Sequence, residues 1–282
     1  MLSQEKIKEL KKFAIEIRRQ TIYQIAFLGV GHIGGTMSIC ELMACLYGHI
    51  LNVDPKNPKM KNRDRFVMSK GHAGPSMYSA LALKGFFPVK ELETLNKPGT
   101  RLPSHTDMSK TPGVDMTTGS LGQGTSSSAG IALSGKLNGE DHYVYCLIGD
   151  GEMQEGQCWE AFAFASQQKL DNYIVFLDKN VKQLDGTTDQ CLSLGNVSER
   201  MEAFGWNALE VDGHDVAAIC DAVDKAKSFK GSGKPTFITL NTIKGKDCPA
   251  ALRAPVNHNM PLSMDDYKEA GELLDKQLAE LA

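Results

Sequence analysis

Two short apolar runs, Tyr143–Ile148 and Tyr173–Leu177, constrain this chain most. Each has the length and composition of a parallel strand buried on both faces. Between them, Glu155–Lys169 carries Trp159, Phe162, Ala163 and Ala165–Ser166 at helical spacing, so the segment predicts strand, turn, helix, strand. The first run ends in the turn Gly149-Asp150-Gly151-Glu152, the second in Asp178-Lys179-Asn180. Both turns open at carboxyl ends of strands, where open α/β sheets bind ligands. Asp150 can offer a carboxylate oxygen and Asn180 an amide oxygen to one hard cation, and Gly151 has no Cβ to hold a diphosphate off the backbone. Alone, Gly-Asp-Gly is ordinary turn chemistry. The asparagine at the end of the next strand gives it weight.

The flanking sequence extends the alternation. Ser3 can cap a first helix with Ile7, Leu10, Ala14, Ile17, Ile25 and Leu28 on one face, broken by Gly29–Gly35. A second helix carries Ile39, Leu42, Met43, Leu46 and Ile50, followed by a polar loop, Asn52–Arg65. Arg65–Ser69 predicts a strand ending in the turn Lys70–Gly74, and Gly122–Leu137 a small-residue helix. The irregular stretch from Lys97 to Gly124 is too long for a mere connection and points to function. Asp185–Asn196 reads as a further polar loop. Ala208–Val211 and Thr236–Asn241 predict strands, Val216–Phe229 a helix between them, and Asp265–Leu281 a last helix capped near Ser263. The expectation is one α/β domain over residues 1–282, a mostly parallel sheet with helices on both faces.

Composition narrows the function classes. With 31 basic and 34 acidic residues the net charge is −3, which gives no bias toward nucleic acid. No apolar run approaches the roughly 20 residues of a membrane span, and the N-terminus lacks a signal peptide's apolar core. Seven cysteines without a Cys-x-x-Cys pair read as reduced thiols, which suits a cytoplasmic protein.

Histidine and glycine recur where elements end: Gly31-His32-Ile33-Gly34-Gly35, Ser69-Lys70-Gly71-His72, Ser104-His105, Thr117–Gly124 and Val256-Asn257-His258-Asn259. A single Gly-His pair is usually a turn with a solvated imidazole. Here His49 and His142 are read so, and His214 as part of a helix-start turn. The co-occurrence of the other four with Gly-Asp-Gly and Asn180 is a different matter. The order and spacing of these segments, above all Asp64–His72 and Thr117–Gly124, resemble the N-terminal half of transketolase over nearly the whole chain.

The resemblance implies the thiamine-diphosphate-binding fold and a set of roles. Asp150, Asn180 and the backbone carbonyl of Lys182 would hold Mg²⁺, for which Ca²⁺ or Mn²⁺ could substitute. Gly151, Glu152, Asn180, His72 and His258 would meet the cofactor, with Gly119, Ser120 and Leu121 along its rings. His32, His105 and His258 would serve catalysis, because imidazoles that titrate near neutrality can carry the hydroxyl proton that C–C cleavage moves. Glu155 would join a carboxylate network at a subunit interface. The pattern departs at Ser120, where the family often has proline, and at Asp247 and Asn259, where it usually has glycine.

In transketolases the glutamate that activates the cofactor lies in a pyrimidine-binding domain, and that domain and the C-terminal one have no counterpart in these residues. The expectation is therefore one subunit of a split transketolase, with a C-terminal partner chain and a second copy of itself in a heterotetramer. The implied activity is transfer of a two-carbon ketol unit from a ketose phosphate to an aldose phosphate, as in the pentose phosphate pathway. The same chemistry on a branched or modified ketose is an alternative, and a non-catalytic scaffold is one from another class.

Overall fold

A computed structural model describes residues 2–281. In chain order it runs α1 (Gln4–Leu28), β1 (Val30–Gly31), α2 (Gly34–Met37), α3 (Cys40–Cys45), β2 (Arg65–Met68), α4 (Gly74–Lys84), α5 (Gln123–Leu137), β3 (Val144–Gly149) and α6 (Gly156–Gln167). It continues through β4 (Tyr173–Lys179), α7 (Thr188–Leu192), α8 (Val197–Ala203), β5 (Asn207–Asp212), α9 (Val216–Ser228), β6 (Thr236–Asn241), α10 (Pro249–Arg253), β7 (Met260–Pro261) and α11 (Met264–Glu280).

Five strands form one parallel sheet in the order β2-β3-β4-β6-β5, and β1 and β7 make a separate antiparallel pair. Because side chains alternate along a strand, the sheet feeds two cores. Tyr145, Leu147, Ile174 and Phe176 face α1, α3, α4, α9 and α11. Val144, Cys146, Ile148, Tyr173 and Val175 face α5, α6 and α8. In the second core Phe162 packs edge-on against Trp206 and Phe237, and Trp206 Nε1 donates to the Phe162 carbonyl at 3.0 Å. Parallel register brings the ends of β2, β3, β4 and β6 out on one side, so Lys70, Asp150, Asn180 and Thr242 emerge as neighbours.

Caps fix the first and last helices as expected. Ser3 accepts the Lys6 N–H, and Ser263 forms a reciprocal capping box with Asp266. Four expectations need correction. His142, read as a solvated turn residue, is buried, 5 % exposed. The second helix is two short helices, α2 and α3, followed by a π-helical turn over Leu46–Ile50, because the chain turns at Ser38-Ile39. The polar loop Asp185–Asn196 contains α7, nucleated by a capping box between Thr187 and Gln190. Helix α4 has no counterpart among the expected elements. All the cysteines are free, and all but Cys191 are buried. Among the described residues no helix is long and apolar enough to cross a membrane.

Candidate active site

A cavity of about 420 Å³ opens at the carboxyl ends of the strands. Asp150 stands at its floor, 2 % exposed. Its carboxylate accepts the main-chain N–H of Gly151 at 2.9 Å and of Val181 at 2.5 Å, so the turn after β4 wraps around it. Asn180 Oδ1 accepts the Lys182 N–H at 3.2 Å, and its amide nitrogen donates to Asp178 at 2.8 Å. Asp178, fully buried, also accepts from Ser38, Thr242 and the Lys70 ammonium. Burial pushes the Asp150 carboxyl up to about 7, helped by the charge on Asp178. Asp178 stays below its usual value, because against its own burial the Lys70 charge and hydrogen bonds prevail.

This donor set suits a hard divalent cation. One carboxylate, one amide oxygen and the Lys182 carbonyl are all-oxygen ligands of the kind Mg²⁺ takes while keeping water or phosphate oxygens. The Lys244 ammonium donates to that same Lys182 carbonyl at 3.2 Å, so a cation already stands at this spot. Burial lowers Lys244 to about 8, against the pull of Asp150. Among the described residues no group of three or more His, Cys, Asp or Glu side chains is arranged to hold a metal ion by itself.

Four imidazoles close the other wall. Ring centroids of His32 lie 5.4 Å from His72, 5.6 Å from His105 and 5.3 Å from His258, and His72 is 4.8 Å from His258. Burial holds all four below the usual histidine value; for His258, at about 4, the Lys244 charge adds to it. At neutral pH they are therefore uncharged, each with one nitrogen able to accept a proton. They arrive from four separate segments, and backbone contacts hold these together. A Cβ on Gly34 would meet the Asn257 carbonyl at 2.3 Å, and one on Gly119 the His105 ring at 2.9 Å.

The remaining expected residues divide. Gly119, Leu121, Gly151, Glu152, Glu155 and Lys182 line the cavity, whereas Ser120 is exposed and does not. Gly151 serves its neighbours: a Cβ there would meet that of Gln183 at 2.7 Å. Glu152 is 2 % exposed and accepts from Ser69 Oγ at 2.5 Å and from the N–H groups of Gly122 and Gly149, which ties the ends of β2 and β3 to the start of α5. His214 stays outside the cavity, as expected of a turn residue. Lys70, Asp178 and Lys244 do not stand out in the sequence. For Asp178 the available signal was a charged residue at the end of a buried strand; Lys70 and Lys244 fall two and three residues past theirs.

Residues 10–277 match the family model described as "Transketolase, thiamine diphosphate binding domain". The chain belongs to the transketolase family. It is 47% identical over 276 residues to the 6-deoxy-6-sulfo-D-fructose transketolase subunit SqwG of Clostridium sp. (strain MSTE9), covering 98% of this chain and 99% of that protein. It is 39% identical over 267 residues to one of the subunits of the apulose-4-phosphate transketolase of Actinobacillus succinogenes, covering 94% and 96%. Transketolase from Campylobacter jejuni superposes with a TM-score of 0.87 at 31% identity, over 97% of this chain and 43% of that one. The chain thus spans about two fifths of the longer transketolases it matches, 41% in the human protein. Members of this family are enzymes, and the parallel sheet covered on both faces is the fold of its cofactor-binding half.

Proposed function

We propose that this chain is the cofactor-binding subunit of a two-chain, thiamine-diphosphate- and Mg²⁺-dependent transketolase that moves a two-carbon ketol unit between sugars. The observation that carries this is the meeting, in one cavity, of four uncharged imidazoles with Asp150, Asn180 and the Lys182 carbonyl. Asp150, Asn180 and Lys182 would hold the metal, and Lys70 and Lys244 supply positive charge toward the diphosphate. Thiamine diphosphate, when bound, supplies the nucleophilic carbon and the electron sink for C–C cleavage. His32, His105 and His258 orient the sugar hydroxyls and take or return their protons, each transfer contributing about 10²–10⁴-fold. Gly119 and Leu121 line the ring end, and Glu155 faces a neighbouring subunit.

The activating glutamate comes from a C-terminal partner chain, in a cytoplasmic assembly with two copies of each. Supporting this, the relatives that the chain covers almost end to end are themselves named as subunits. Those same names favour a second reading, a modified or branched ketose as the donor. The first experiment titrates thiamine diphosphate and Mg²⁺ into the chain with and without its co-expressed partner. It then compares xylulose 5-phosphate with 6-deoxy-6-sulfo-D-fructose as donors to an aldose phosphate. Turnover is expected only with both chains, and Asp150→Ala abolishes metal-dependent cofactor binding. Robust turnover by the single chain overturns the split-enzyme reading, and a complex indifferent to Asp150→Ala is a scaffold.

A further inference from the structure

Lys244 reaches the cavity from Thr242–Asp247, a segment without regular structure that leaves the end of β6. A polar chain outside the cavity anchors it from behind. Arg18, in α1 and 1 % exposed, donates to both Glu41 oxygens at 2.7 and 2.9 Å and turns a second nitrogen to the Asp247 carboxylate at 3.4 Å. Glu41 also lies 3.2 Å from His214 Nδ1, and His214 Nε2 accepts the Ile243 main-chain N–H at 2.9 Å. That acceptor role puts the imidazole proton on Nδ1, facing Glu41, so both ring nitrogens are engaged. Asp247 stands at φ +57°, a left-handed conformation natural to glycine and tolerated by Asp and Asn. None of these four side chains lines the cavity.

We infer that Arg18, Glu41, His214 and Asp247 are positioning residues. They grip the Lys244 segment at Ile243 and at Asp247, and so fix the Lys244 ammonium against the anionic end of the bound cofactor. Helices α1 and α3 and the β5–α9 turn thereby set the cofactor site without touching it. The inference rests on the proposed cofactor.

The test uses the complex with the partner chain. Asp247→Asn keeps a residue that accepts positive φ and removes the charge; Asp247→Gly, which also relieves the backbone, is read the same way should the first fail to assemble. The dissociation constant for thiamine diphosphate at saturating Mg²⁺ should rise about tenfold, the low end for losing a supporting partner. Turnover at saturating cofactor should hold, and amide exchange at Ile243 and Asp247 should quicken. In a double-mutant cycle with Lys244→Ala, the Asp247 effect on affinity should vanish, because it acts through that lysine. An unchanged affinity, or an effect that simply adds to Lys244→Ala, overturns the inference. Parent complex that binds no thiamine diphosphate defeats the proposed function instead; unaltered exchange in the cofactor-free variant then defeats the network.

Discussion

Val181 stands at φ +57°, where a β-branched side chain is a genuine outlier. Such a position costs about 1–3 kcal/mol and persists only when its surroundings over-determine it. Here the surroundings are visible. The twist aims the Val181 N–H at Asp150 and brackets the residue with Asn180 and Lys182, the other two proposed metal ligands. Strain at this point holds a donor set in place before any ligand arrives. Val181→Gly should therefore keep or raise the melting temperature of the cofactor-free complex while weakening Mg²⁺-dependent cofactor binding, the two read by thermal melts and titration. A less stable complex with unaltered Mg²⁺ affinity would show that the strain has no bearing on the site. No sequence pattern announced this residue, since a valine two positions past a strand is unexceptional; only the backbone angle does so. Asp150 and Asn180, in contrast, were legible, because polar residues ending fully apolar strands have few other uses.

At the scale of elements, the site depends on how tightly α5 sits on the end of β2. A Cβ on Gly124 would meet the Cα of Ser69 at 2.7 Å, and Ser69 is the residue that donates to Glu152. Gly124→Ala must push α5 off this turn and disturb His72 beside it, so both melting temperature and cofactor affinity should fall. Gly130, on the same helix, has nothing within 4 Å of its would-be Cβ. Gly130→Ala should stabilise by about 0.5–1 kcal/mol, as glycine-to-alanine changes in helix interiors do. Urea unfolding of the pair checks both, and equal effects of the two substitutions would contradict the close packing. The elements that the sequence revealed were those with a clean signal: the unbroken apolar runs of β3 and β4, and the amphipathic α1, α9 and α11. Helix α4 hid because every residue from Gly74 to Ala82 is buried, which erases the polar face that a helical period needs. The break between α2 and α3 hid because apolar spacing continues across it.

For the whole molecule, the buried Arg18 is the joint that connects the covering helices to the edge of the sheet where the cavity opens. It falls four residues after Ala14 and four before Ile22, on the apolar stripe of α1, so an arginine there must find a partner inside. Burial pushes its partner Glu41 up, but the Arg18 charge and the bonds from His214 and Arg18 outweigh that and hold the carboxyl at about 2. The folded-state value lies below the 4.5 of an ordinary glutamate. Glu41 therefore contributes stability that is complete above that ordinary value and is lost as the pH falls toward the folded one. Linkage puts the contribution at about 3 kcal/mol, of which about 2 kcal/mol is gone by roughly pH 3. Glu41→Gln has nothing to titrate. It should be less stable at neutral pH, where a buried guanidinium loses the nearer of its two carboxylates at a cost of at most about 3–5 kcal/mol, Asp247 remaining, and its stability should then fall less steeply between roughly pH 5 and 3. Urea unfolding across that window gives the difference between the two curves, in which carboxylates elsewhere cancel. Converging curves mean that the buried Arg18–Glu41 pair ties α1 to α3 throughout the folded state, with Asp247 as the second arm to the Lys244 segment; parallel curves mean that Glu41 is already neutral, and that Arg18 holds the segment through Asp247 alone.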